Sequence, residues 1–162
     1  MSNTRPYRPA PGNQRLDPEL YQQANRVVFI TICAYSHSLP FTSERLNHVI
    51  IETLRSEQTR LGCLVHTYCL MPNHLHFLAS PAQDGQSVLR FTDQFKGKTT
   101  RFSWQLGRQG KLWQPRYYDH IVRSHKSLLA IAEYILYNPV RKALIGRAED
   151  WPWSGVMTPL PL

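Results

Sequence analysis

The pattern of apolar and polar positions divides the chain into short strands and longer helices after a polar first segment. Residues 26–33 are β-branched and apolar, which is typical of a strand buried on both faces. From Ser43 to Gly62 apolar residues recur at helical spacing, with a serine cap before them and a glycine after them. The same criteria predict strands at residues 63–70, 74–79 and 117–123 and helices at about 88–104 and 125–138.

The order β-α-β-β-α-β-α predicts an α+β fold. Its first six elements are those of the ferredoxin-like split βαβ arrangement, an antiparallel sheet with two helices on one face. The added C-terminal helix should then lie against the other face or an edge of this sheet. We therefore expect one domain over residues 26–155, a flexible basic N-terminal arm over 1–25 and a C-terminal tail over 156–162.

The net charge points to a polyanionic partner. Lys and Arg number 19 against 11 Asp and Glu, giving a formal charge of +8 among 162 residues. Each phosphate that a basic side chain neutralises releases condensed counterions, so a basic domain is suited to nucleic acid. The arm at 1–25 fits either a disordered tail or a basic segment lying on DNA.

Cysteine usage and hydropathy favour a cytoplasmic protein. The three cysteines, Cys33, Cys63 and Cys69, are an odd number without a CxxC pair, so we expect buried, reduced thiols. The N-terminus has no apolar core of a secretory signal, and no stretch approaches the roughly 18 apolar residues of a membrane span.

Two histidines in the third predicted strand are candidate metal ligands. Because alternate side chains of a strand share a face, His74 and His76 project together while Leu75 and Phe77 point to the core. Two neutral imidazoles suit a divalent metal, but the pair alone does not saturate one. The spacing fits an ordinary hydrogen-bonded or solvent-facing pair as well.

The last predicted helix carries a possible nucleophile. Tyr134 and Asn138 are four residues apart and so share a helical face. A phenol can attack phosphorus and leave as a phosphotyrosine ester, and an amide oxygen can complete a metal shell. A tyrosine packed on the sheet and an asparagine ending the helix before Pro139 explain the same residues.

A third stretch, residues 113–120, combines aromatic and basic side chains after a glycine-bearing loop. Aromatic rings with arginine between them suit the stacking of unpaired bases. An aromatic strand in the core explains Tyr117 or Tyr118 equally well.

Four sequence blocks together resemble one known family. Residues 71–78 (MPNHLHFL) closely resemble the HUH strand of the single-domain tyrosine transposases. The other blocks, residues 113–120 (WQPRYYDH), 134–141 (YILYNPVR) and 150–154 (DWPWS), are similar to the REP-associated branch of that family. The blocks stand in the family's order, and the resemblance runs from about residue 26 to 154.

The resemblance implies a transposase that cuts and rejoins single-stranded DNA near REP-type hairpins through a 5′-phosphotyrosine intermediate. It implies Mg²⁺ or Mn²⁺ as cofactor, held by His74, His76 and Asn138, with Tyr134 as the nucleophile on the C-terminal helix. Tyr137 is the rival, but on an ideal helix it lies roughly 60° from Tyr134 and off the face of Asn138. The protein would act in the cytoplasm at the nucleoid, as a monomer or a homodimer.

Basic and aromatic side chains outside the metal site are candidates for contacting the DNA. They are Arg90, Lys96, Lys98, Arg101, Trp113, Arg116 and Arg123.

Three other functions fit parts of the pattern. A domesticated protein could bind hairpins without cutting them, and an RNA-binding domain of the same topology would stack bases on sheet aromatics. A zinc hydrolase would need a third strong ligand, and the HExxH motif is absent.

Overall fold

The computed structural model describes residues 15–162, so residues 1–14 of the predicted arm lie outside the described residues. The strands of the described chain are β1 (Val28–Cys33), β2 (Cys63–Met71), β3 (His74–Pro81), β4 (Tyr118–Ile121) and β5 (Ser154–Val156). The α-helices of the same part of the chain are α1 (Glu44–Leu61), α2 (Val88–Gln105), α3 (His125–Leu136) and α4 (Asn138–Arg141).

The sheet has the order β4-β1-β3-β2-β5 with antiparallel neighbours throughout. Its first four strands have the arrangement of the ferredoxin-like split βαβ unit, which confirms the predicted α+β fold. The strand β5 was not predicted, because three residues are too short to show an alternating pattern. It extends the sheet beyond β2 by pairing Thr67 with Val156, one residue past the predicted domain boundary at 155.

The sheet is covered on both faces. One apolar core lies between the sheet and helices α1 and α2, and it includes Leu75 and Phe77 of β3. A second, smaller core lies between the other face and α3, where Ile131 and Ile135 pack near Phe29. The C-terminal helix therefore lies on the face opposite α1 and α2, which was one of the two positions expected for it.

The predicted last helix is interrupted where we expected it to end. Helix α3 stops at Leu136, Tyr137 forms the junction, and α4 begins at Asn138. Pro139 has no N–H to donate to the preceding turn, but it is well tolerated in the first turn of a new helix. The chain therefore stays helical to Arg141 instead of leaving the helix at the proline.

The described part of the N-terminal arm is folded on the domain, contrary to the prediction of a flexible segment. The short 3-10 helix Pro18–Gln22 buries Tyr21, whose hydroxyl donates to the Asp119 carboxylate over 2.6 Å. Arg15 Nε donates to the same carboxylate over 3.1 Å. Burial and the hydrogen bond to Asp119 raise the pKa of Tyr21 to about 12, so the phenol keeps the proton that makes this contact.

The C-terminal segment is held by a buried histidine. His66 Nδ1 lies 2.9 Å from the Pro159 carbonyl oxygen and 3.2 Å from that of Thr158, so it must be the protonated nitrogen. His66 Nε2 then accepts from the Ser80 hydroxyl over 2.8 Å. The predicted tail thus packs against the sheet, and His66 has a structural role there.

Glu57 of α1 forms ion pairs that link α1 to α2, and we expect it to make the free energy of unfolding depend on pH in the acid range. Its buried carboxylate pairs with Arg60 and with Lys98 of α2, and these contacts, the Arg60 hydrogen bond first, lower its pKa. Its contribution is therefore complete above the unfolded-state pKa of about 4.3 and is lost as pH falls through the lower folded pKa.

Glu57→Gln should lower the free energy of unfolding by about 1–2 kcal/mol at neutral pH, since both cations are partly solvated. Urea unfolding of the two proteins at pH 7 and in acid checks this. The difference should shrink in acid, and a difference independent of pH would contradict it.

Candidate catalytic site

Strand β3 is the central strand of the sheet and carries both histidines on the face that α3 covers. Leu75 and Phe77 point into the opposite core, as the alternation predicts. The rings of His74 and His76 are 4.5 Å apart between centroids. His76 is buried and His74 is partly buried, so the pair lies at the edge of the α3 core.

Each imidazole is oriented by one hydrogen bond at Nδ1. His76 Nδ1 lies 2.8 Å from Thr31 Oγ1 of β1, and His74 Nδ1 lies 2.6 Å from Asn73 Oδ1. An amide oxygen only accepts, so His74 donates from Nδ1 and keeps the lone pair on Nε2. The Thr31 hydroxyl can accept a hydrogen bond from Nδ1 of His76 in the same tautomer, and in that tautomer both Nε2 atoms are able to face a metal.

The environment keeps both imidazoles neutral. Burial and then the charge of Lys142 lower the pKa of His74 to about 4. Burial, followed by the charges of His74 and Arg141, puts the pKa of His76 well below its usual value. Neutral imidazole is the form that binds a metal. At neutral pH the two histidines can therefore act as ligands without first losing a proton.

Helix α3 places the Tyr134 ring beside His76. The Tyr134 ring lies 5.7 Å from the His76 ring and 6.4 Å from Phe29, which is part of the same face. Tyr137 is 46% exposed at the junction between α3 and α4. Of the two tyrosines considered from the sequence, Tyr134 is therefore the one whose ring lies beside the pair.

Asn138 begins α4 with a buried side chain. Its Oδ1 has no hydrogen-bond partner among the described residues, which for a buried amide costs about 1–3 kcal/mol. Arg141 and Lys142, one turn further on, are the cations whose charges act on His76 and His74. The turn that Asn138 opens therefore lies beside the histidines.

Arg141 is a site residue to which the sequence assigned no role. Its guanidinium carbon lies 4.1 Å from the centroid of the Tyr134 ring, and Nη2 donates to the Tyr134 carbonyl oxygen. A cation over an aromatic face is attractive, so the contact fixes the ring against the end of α3. Its spacing from Tyr134 is the sequence signal that could have found it. The two residues are seven positions apart, about two turns of a helix, and so share a helical face.

The predicted DNA contacts are not gathered around the histidines. Arg90, Lys96, Lys98 and Arg101 lie on α2, which covers the other face of the sheet, while Arg116 and Arg123 are exposed on either side of β4. Lys98 is paired with Glu57.

The expectation that Trp113 stacks bases is wrong for this structure. Trp113 is buried, its Nε1 donates to Thr99 Oγ1 over 2.8 Å, and its ring packs 4.7 Å from Phe41. The bridge of its backbone to Ala34 draws this loop against the end of β1 and turns the indole inward.

Within the described residues no cluster of three His, Cys, Asp or Glu side chains could hold a metal. A metal at the histidine pair would therefore need an amide or carbonyl oxygen, and Asn138 offers an unpaired one. In the same part of the chain all three cysteines are free, and no helix is long and apolar enough to cross a membrane.

Comparison with known proteins assigns the chain to a family. The family model of the IS200-like transposases matches residues 21–138, which include both histidines, Tyr134 and Asn138. The chain belongs to the IS200-like transposases. This transposase has two curated relatives of the REP-associated kind, as its sequence blocks indicated.

A Haemophilus influenzae protein named "Putative REP-associated tyrosine transposase" is 32% identical over 96 residues, covering 53% of this chain and 54% of its own. The REP-associated tyrosine transposase of Escherichia coli K12 is 25% identical over 111 residues, covering 68% and 62%. The chain thus spans only about half to three fifths of the length of these relatives.

A solved structure shares the fold. A REP-associated tyrosine transposase bound to a REP hairpin superposes with a TM-score of 0.69 at 21% identity, over 88% of this chain and 81% of that one. The likeness shows that the two chains share a fold.

Proposed function

We propose that this transposase is a metal-dependent endonuclease and strand transferase for single-stranded DNA, acting next to REP-type hairpins through a 5′-phosphotyrosine on Tyr134. The observation that carries the proposal is the position of Tyr134, whose ring lies 5.7 Å from His76 on the second face of the sheet. A nucleophile beside two neutral imidazoles is the arrangement that attack on a metal-bound phosphate requires.

The residues present fit a divalent metal. His74 and His76 would each offer Nε2, and Asn138 would offer the buried Oδ1 that has no partner among the described residues. Two nitrogens and one oxygen leave coordination positions for phosphate and water oxygens, and Mg²⁺ or Mn²⁺, the ions that the family resemblance implies, would complete their oxygen-rich shells there. When bound, such an ion would polarise the scissile phosphate and screen its negative charge.

Tyr134 would then make the one covalent bond of the cleavage step. Its Oη attacks phosphorus and releases its proton to solvent, while the bond from phosphorus to the 3′-oxygen breaks. The 3′-oxygen leaves and takes up a proton, and the 5′-phosphate stays on the tyrosine. Attack by the same or another 3′-hydroxyl reverses the step and joins strands with no external energy source.

Arg141 would position the nucleophile. Its guanidinium lies over the Tyr134 ring, and its hydrogen bond to the Tyr134 carbonyl ties α4 to the end of α3. Holding the attacking group near its in-line position removes much of the entropic cost of the reaction.

The DNA substrate is inferred from charge and from the relatives. A formal charge of +8 favours a polyanion, and the structural neighbour is described as bound to a REP hairpin. A DNA partner would put the protein at the nucleoid.

Cleavage with Mn²⁺ tests this function against that of a hairpin-binding protein that no longer cuts. A labelled REP-like hairpin with single-stranded flanks is incubated with the protein, with and without EDTA, and resolved on denaturing gels. We expect a shortened product and a protein-linked species with Mn²⁺ alone. Retarded migration on native gels without either product would favour the non-catalytic binder.

Arg141→Gln should slow cleavage by about 10- to 100-fold, because glutamine loses the cation that holds the Tyr134 ring. Single-turnover cleavage at saturating enzyme measures the rate, and native gels measure hairpin affinity, which should change little. Arg147→Gln makes the same substitution at an exposed position outside the site and is the matched control. Equal rates in the two variants would contradict the positioning role.

A further inference from the structure

A groove of about 320 Å³ lies between α2 and the loop that precedes β4, on the α2 side of the sheet. Its lining includes Lys96, Gly97, Arg101, Trp104 and Lys111, and we name it the α2 groove. None of the described residues that line it carries a carboxylate. A groove with several cations and no acid is suited to a polyanion.

Trp104 presents an aromatic surface at this groove. The side chain is 51% exposed, and its Nε1 donates to the Gly110 carbonyl oxygen over 2.7 Å. The hydrogen bond fixes the orientation of the indole while much of the ring stays open to solvent. A rigid, accessible ring beside cations is what stacking of an unpaired base requires.

The cations differ in how far they are already engaged. Lys96 Nζ donates to the carbonyl oxygens of residues 114 and 115, so it braces the loop. Arg101 and Lys111 are exposed and form no salt bridge with another described residue. Lys111 Nζ lies 5.4 Å above the ring of Tyr35, which is itself 43% exposed. Two charges are thus available to phosphates.

The groove is connected to the catalytic end of the sheet. The Gln114 N–H donates to the Cys33 carbonyl oxygen over 2.9 Å, and Cys33 is the register partner of His74. Two strand spacings, about 10 Å, therefore separate the groove wall from the candidate metal ligand. The groove and the histidine pair therefore lie at the same end of β1.

We propose that the α2 groove binds an unpaired segment of the same DNA strand, with one base stacked on Trp104 and its phosphates at Arg101 and Lys111. This inference rests on the proposed function in taking single-stranded DNA as the ligand. It adds a binding site on the other side of the sheet and reassigns the stacking platform from the buried Trp113 to the exposed Trp104.

Binding measured without chemistry tests the groove separately from catalysis. In a Tyr134→Phe background with EDTA, fluorescence anisotropy follows a fluorescein-labelled, unstructured single-stranded oligonucleotide. Trp104→Ala should weaken binding by about 10- to 100-fold, and Trp104→Phe, which keeps a ring but loses the bond to Gly110, should retain most of the affinity. An abasic residue scanned along the probe should reproduce the loss at one position only.

Two further variants, with one control outside the groove, test the charge and the volume of the groove. Lys111→Gln should reduce the slope of log affinity against log salt by about 0.7, whereas Arg55→Gln on α1, outside the groove, should leave the slope unchanged. Gly97→Leu should fill the groove and weaken binding without unfolding, because a Cβ there meets only the flexible Arg101 side chain, at 3.4 Å.

Unchanged affinity in Trp104→Ala would overturn the inference. Equal losses of affinity in Trp104→Ala and Trp104→Phe would also overturn it, because they would assign the effect to the loop around Gly110 and not to the aromatic ring. Failure of the Tyr134-bearing protein to cut, with Trp104-dependent binding intact, would count against the proposed function and leave the groove standing. Absence of any binding to the single strand would overturn both.

Discussion

Tyr134→Phe is expected to reduce strand cleavage by at least about 10⁴-fold while leaving hairpin binding unchanged. Phenylalanine keeps the ring that packs near Phe29 and under Arg141, so the fold and the helix ends are preserved. Only the hydroxyl that attacks phosphorus is removed. Single-turnover cleavage with Mn²⁺ and native-gel binding to the same hairpin measure the two quantities.

Tyr137→Phe is the matched control, since it makes the same change three residues away at an exposed position. It should cut at nearly the rate of the unchanged protein. Loss of cleavage in this variant, with normal cleavage in Tyr134→Phe, would reverse the assignment of the nucleophile.

Replacing either histidine by alanine should lower cleavage by about 10³-fold or more, because each removal takes away a ligand of the phosphate-activating metal. A binding readout separates this from misfolding. Mn²⁺ should raise the melting temperature of the unchanged protein and should not raise that of His74→Ala or His76→Ala. His125→Ala, the same substitution at an exposed histidine on α3, should behave as the unchanged protein.

Variants of Asn138 test the third proposed metal ligand. Asn138→Ala should weaken Mn²⁺ binding by about 10- to 100-fold and regain cleavage at high Mn²⁺, whereas Asn138→Asp, which keeps an oxygen ligand, should stay active. A melting temperature that responds to Mn²⁺ equally in all the ligand variants would contradict the metal site.

The architecture was predictable from the sequence because long apolar runs and caps mark its main elements. The run at 26–33 and the repeats that begin at Ser43 and Ser87 give β1, α1 and α2 with little ambiguity. The strand β5 was not, since only its pairing with β2 makes it a strand. The helical turn after Pro139 was also not predicted, because a proline that ends one helix can equally begin the next.

The candidate site was predictable in part. The alternation His74-Leu75-His76 puts both imidazoles on one face in any strand, so their proximity follows from local geometry. Thr31 becomes a partner of His76 only through the register of β1 and β3, which no local pattern encodes. Trp113 and Trp104 show the same limit, because burial decides which indole can stack a base and burial is set by tertiary packing.

The central claim is that Tyr134 itself becomes covalently linked to DNA in a metal-dependent step. Cleavage of a labelled hairpin with Mn²⁺, followed by nuclease trimming, trypsin digestion and fragmentation mass spectrometry, tests it directly. Tryptic peptides ending at Arg141 carry both Tyr134 and Tyr137, so fragmentation between these residues is needed to locate the added nucleotide. We predict a 5′-phosphate ester on Tyr134 that is absent with EDTA. An ester on Tyr137, or cleavage that persists undiminished in EDTA, would contradict the account.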